Sequence, residues 1–66
     1  MKVYNMELKE MIAKMLNSSD SKEVIELWEE ICLSYTGEEL QWAHRQTSKK
    51  FIEAINELRE KGEYIL

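Results

Sequence analysis

Leu40-Gln41-Trp42-Ala43-His44-Arg45-Gln46-Thr47-Ser48-Lys49-Lys50-Phe51-Ile52-Glu53-Ala54-Ile55-Asn56-Glu57-Leu58 carries the choice between two architectures. Its apolar or small positions, Leu40, Ala43, Thr47, Phe51, Ala54 and Leu58, step by three or four residues throughout. That is the spacing of one helix face, so a single unbroken helix of about 25 residues, roughly 37 Å long, is one reading. The other reading breaks the segment at Arg45-Gln46-Thr47-Ser48, where Thr47 or Ser48 would cap a new helix. That final helix carries Phe51, Ala54, Ile55 and Leu58 inward and ends at Lys61-Gly62, because glycine suits the left-handed residue that closes a helix. Glu63-Tyr64-Ile65-Leu66 then reads as a short strand or a docked apolar tail.

Upstream, two shorter helices are expected. Asn5 offers a cap, and Leu8, Met11, Ile12, Met15 and Leu16 follow on one stripe, stopping at Asn17-Ser18-Ser19. Asp20 with Glu23 forms a capping-box pattern that opens the second helix. Val24, Leu27, Trp28, Ile31 and Tyr35 are its stripe, with Glu26, Glu29 and Glu30 on other faces. Thr36 is the expected cap of the next helix, with Glu39 as its box partner. Lys2 to Tyr4 alternate weakly, as a short strand would. The expected core joins Trp28, Ile31, Phe51, Ile55 and Leu58.

Length and composition set the frame. The 66 residues show no second composition regime, so residues 1–66 form one domain. A chain this short buries only about 60% of its unfolded surface and has few apolar side chains to spare for a deep cleft. It has no proline and only two glycines, as helices require. Cys32 is its one cysteine and has no disulfide partner, which points to a reducing cytoplasmic setting. No apolar run approaches the ~20 residues that cross a bilayer, so no membrane partner is expected. Nor does an apolar signal-peptide core follow Met1.

Net charge is −4, yet it is unevenly spread. Between Leu40 and Ile52 there is no acid, and Arg45, Lys49 and Lys50 give this window +3, leaving −7 for the rest. Such an island suits phosphates in a chain otherwise repelled by them.

Residues 47–65, from Thr47-Ser48-Lys49-Lys50 through Leu58-Arg59-Glu60-Lys61-Gly62 to Glu63-Tyr64-Ile65, resemble the recognition helix and first wing strand of winged helix-turn-helix proteins. Gly37-Glu38-Glu39-Leu40 resembles the opening of the preceding helix, which would run to about Arg45. The resemblance implies a helix-turn-helix and a transcriptional regulator that binds duplex DNA. Arg45, Gln46, Ser48, Lys49 and Lys50 would then meet phosphates, and Asn56 a base edge.

The chemistry of catalysis and metal binding is thin. His44 and Cys32 are two candidate ligands, while a zinc site takes four, so no metal and no cofactor is expected. The glutamate pairs are adjacent and point apart, and the chain reads as a non-enzyme. Trp42 lies off the Leu40–Ala43 line and next to His44 in sequence. These two are the expected partner-binding residues, with Trp42 at a core edge or a dimer seam as the alternative.

The expected fold is therefore mostly α: three to four helices, helix-turn-helix-like, with an optional short terminal β pairing. An antiparallel three-helix bundle is the alternative. The leading function is a DNA-binding regulator of winged-helix type, acting as a homodimer. The alternative is a small acidic protein, of the kind phages and mobile elements encode, that binds and modulates a host protein, with its acidic helices mimicking a nucleic acid.

Overall fold

A computed structural model describes residues 4–63 of the chain. Three helices make up the described part: α1 (Met6–Asn17), α2 (Ser21–Ser34) and α3 (Gly37–Glu60). No strand occurs among the described residues. The two expected terminal strands fall mainly on residues 1–3 and 64–66, which lie outside the described part.

Local chemistry sets each boundary. Asn5 caps α1, its side-chain oxygen accepting from the backbone N–H groups of Glu7 and Leu8 at 2.7 and 3.2 Å. Asp20 caps α2 by accepting from the Lys22 N–H at 3.0 Å. The reciprocal half of the expected box is different: the Ser18 hydroxyl, not Glu23, takes the Asp20 N–H at 3.1 Å. Thr36 occupies the cap position of α3 but makes no side-chain cap hydrogen bond, so its box with Glu39 does not form. Gly37 follows with φ +61, a value that a side chain would strain. At the far end Gly62 has φ +73, its N–H donating to the Arg59 carbonyl, while Glu63 N–H donates to that of Leu58. This is the Schellman arrangement, and it satisfies carbonyls that the helix end leaves open.

The expected break at residues 45–48 is absent. α3 runs 24 residues without interruption, about 36 Å. Thr47 is 1% exposed, packed inward with Ala43, Ala54 and Leu58, and its hydroxyl donates to the Ala43 carbonyl. It therefore serves as an interior residue of one helix and not as the cap of a second.

Two- and three-residue connections leave consecutive helices antiparallel. The Tyr35 hydroxyl at the end of α2 reaches Asn5 at the start of α1 (3.4 Å), and Lys22 at the start of α2 pairs with Glu63 beyond α3 (3.0 Å). Between them lies one core: Leu8, Ile12 and Met15 from α1, Val24, Ile25 and Ile31 from α2, and Ala43, Ala54 and Leu58 from α3. Ile31 and Leu58 are buried as expected, whereas Trp28, Phe51 and Ile55 pack against the core from its edge. Leu16 of the expected α1 stripe is exposed.

Candidate partner-binding surface

α3 positions most of the candidate residues, and its uninterrupted winding fixes which of them share a face. At about 100° per residue, Arg45, Lys49, Ile52 and Asn56 fall on one stripe. All four are exposed, Ile52 to 57%. Lys50 is about 100° further round from Lys49 and half-buried. It lines a cleft of about 390 Å³ beside the α1–α2 connection with Ser18, Ser21, Glu53 and Glu57. Glu53 and Glu57 offset its charge there. The +3 window is thus a single run in sequence but two separate surfaces in space. Lys22–Glu63 and Lys61–Glu57 form ion pairs, and neither pair involves Arg45, Lys49 or Lys50.

The duplex-facing set is therefore only partly assembled. Arg45, Lys49 and Asn56 share the exposed stripe, Gln46 is exposed to one side of it, and Ser48 is half-buried. All six lie within α3, away from the helix start where free N–H groups would add to phosphate binding.

Trp42 and His44 do not form one surface. Two residues along a helix turn it by about 200°, which sends the two side chains to nearly opposite sides. Trp42 stacks on Tyr4, ring centres 4.3 Å apart and planes within 6°, and so ties the lead-in to α1 onto α3. His44 meets the other tryptophan: its ring centre lies 5.7 Å from that of Trp28, tilted by 53°. Phe51 continues this row, 5.9 Å from Trp28.

Around Trp28 and His44 the α2–α3 seam opens into a concavity of about 450 Å³ lined by Trp28, Leu40, Gln41, His44 and Arg45. Its walls are an indole and an isobutyl group, its rim holds a guanidinium and an imidazole, and no carboxylate lines it. The sequence reading assigned Trp28 wholly to the core and missed it here. No local signal separates it from the core, because the buried Ser21, Val24, Ile25 and Ile31 lie on both sides of Trp28 around α2. Chemically the surface suits an apolar side chain accompanied by an anion.

Glu57 and Cys32 are among the ionisable groups outside the concavity that their surroundings perturb. Hydrogen bonds from Lys61 (3.1 Å) and Ser21 hold the Glu57 carboxyl below its ordinary value. Partial burial, with the Glu29 charge adding to it, pushes the Cys32 thiol up. Among the described residues no group of three His, Cys, Asp or Glu side chains converges to hold a metal. No described helix is long and apolar enough to cross a membrane.

No protein-family model matches the chain, and neither a curated protein nor a solved structure matches it.

Proposed function

We propose that this chain is a small interaction protein that captures a protein partner across its α2–α3 face. That role shares with the second of the two expected functions the capture of a protein, but places it on the α2–α3 seam and not on acidic helices that mimic a nucleic acid. The observation that supports it is the open concavity walled by Trp28 and Leu40 and rimmed by His44 and Arg45. Apolar anchors seated in such a seam, with a polar rim to fix register, are how short helical segments are recognised. A half-buried tryptophan at the centre is the kind of residue that dominates binding energy at interfaces.

The duplex-DNA reading draws on Arg45, Lys49 and Asn56. Its support is weaker, because Lys50 is turned away and Glu53 and Glu60 follow Lys49 and Asn56 at the next helical turn. Three contacts flanked by carboxylates give little of the counterion release that drives non-specific affinity.

The test is selection of peptides from a random library on the wild-type chain, repeated on Leu40→Asp, which puts a charge in the concavity wall. The reading expects peptides that bind the wild type and lose at least about tenfold in affinity on the variant. Selected peptides indifferent to Leu40→Asp, or none at all, would remove its support.

A further inference from the structure

Resting on that reading, we propose that the occupant of the α2–α3 face is an amphipathic helix of a partner protein whose polar residues are acidic. The first ground is the sorting of charge around α3. On the side nearer Trp28, the successive outward residues are Gln41, His44, Arg45, Ser48, Ile52 and Arg59, a strip about 27 Å long with no carboxylate. Of the α3 glutamates, Glu39, Glu53 and Glu57 wind away from the strip, Glu60 borders it beside Asn56, and Glu38 stands one turn before Gln41 at its N-terminal end. In a chain of net charge −4, a carboxylate-free strip bearing two arginines is complementary to an anionic partner and to few others.

The second ground is the spacing of its apolar seats. One is the concavity walled by Trp28 and Leu40, whose edge toward the C-terminal end of α3 is His44 and Arg45, and the other is Ile52, 57% exposed and eight residues beyond His44 at that edge. Eight residues of helix span about 12 Å, which matches side chains at i and i+7 or i+8 of a partner helix. Arg45 lies between the two seats, and Arg59 lies two turns beyond Ile52. A partner carboxylate between its two anchors, and another two turns past the second, would meet both guanidiniums.

A second copy of this chain fits the strip less well. Its α2 is acidic on the outside, but Leu33, 88% exposed, is a single anchor whose i−4 and i−7 neighbours are Glu29 and Glu26. One anchor cannot fill two seats, and two chains of −4 repel each other. Duplex DNA brings the anions without the apolar anchors.

The experiment uses the full wild-type chain and two labelled synthetic helices of roughly 18 residues, long enough for the strip. Both carry leucines spaced by seven; one has glutamates flanking them and the other has lysines. Anisotropy titration should show the glutamate helix binding at least about tenfold more tightly near 50 mM salt, with the gap narrowing at higher salt. Arg45→Glu combined with Arg59→Glu should invert that preference, since both side chains are exposed. Ile52→Asp should weaken the glutamate helix. Equal or tighter binding of the lysine helix, or no binding of either, would overturn the acidic partner. So would sedimentation of the chain alone as a dimer that Ile52→Asp dissociates. Library peptides that still require Leu40 would in those cases leave the concavity as a protein site, whereas their absence removes the parent reading as well.

Discussion

Thr47 donates its hydroxyl to the carbonyl of Ala43, 2.8 Å away, inside α3. That bond satisfies a buried hydroxyl without leaving the helix, and it answers why a Thr-Ser pair does not break the segment. Threonine and serine favour caps because their oxygens compete for backbone groups, but the i−4 carbonyl offers a second solution within the helix. Burial of Thr47 alongside Ala43, Ala54 and Leu58 selects it.

Continuity at this point is directly testable with Ser48→Pro. If Thr47 capped a new helix, residue 48 would be its first turn, where proline is welcome. In the middle of α3 it removes a hydrogen bond and clashes with the preceding turn. Chemical denaturation should show a loss of about 3 kcal/mol or more, enough to unfold much of so small a domain. A variant as stable as the wild type would mean that the helix ends there.

Burial ranks the core substitutions. Ile31 is fully buried, so Ile31→Ala should cost about 2–5 kcal/mol. Phe51 packs on Trp28 but keeps part of its ring in water, so Phe51→Ala should cost less than Ile31→Ala. Urea unfolding of the two variants checks the order, and a reversed order would place Phe51 deeper than described.

The helix stripes, the Asn5 and Asp20 caps and the Gly62 close were legible because each depends on residues close in sequence. Three features were not. The choice at 45–48 depended on whether Thr47 would be covered by α1 and α2, which no local pattern contains. The grouping of Arg45, Lys49 and Lys50 followed sequence adjacency, while a helix separates neighbours by about 100°. Trp42 and His44 failed as a pair for the same reason, and Trp28 replaced Trp42 beside His44 because α2 approaches α3 from that side.

Glu57 should make stability depend on acid. Its folded pKa is lowered from 4.5, so the bound form is the carboxylate. Its contribution is fully present above about pH 4.5 and is lost as pH falls through the lower folded value. Thermal unfolding followed from pH 7 down to about pH 3 should show a smaller acid decline in Glu57→Gln than in the wild type. Parallel curves would assign the decline to other groups.

Cys32 should be a sluggish nucleophile. With its thiol pushed up by partial burial and by the Glu29 charge, less of it is thiolate near neutral pH than in a free cysteine. Alkylation at about pH 8 should be slower than for a model thiol, and Glu29→Gln should speed it. A rate above the model thiol would contradict this environment.

The claim that this chain meets a protein and not a nucleic acid is tested most directly by titrating it against labelled duplex DNA at about 50 and 200 mM salt. Only Arg45 and Lys49 of the basic window share an exposed stripe, with Glu53 and Glu60 beside it. The expected result is no saturable binding at either salt concentration. The contradicting result is binding that weakens steeply with salt and whose log–log slope drops by roughly 0.9 for each of Arg45→Ala and Lys49→Ala.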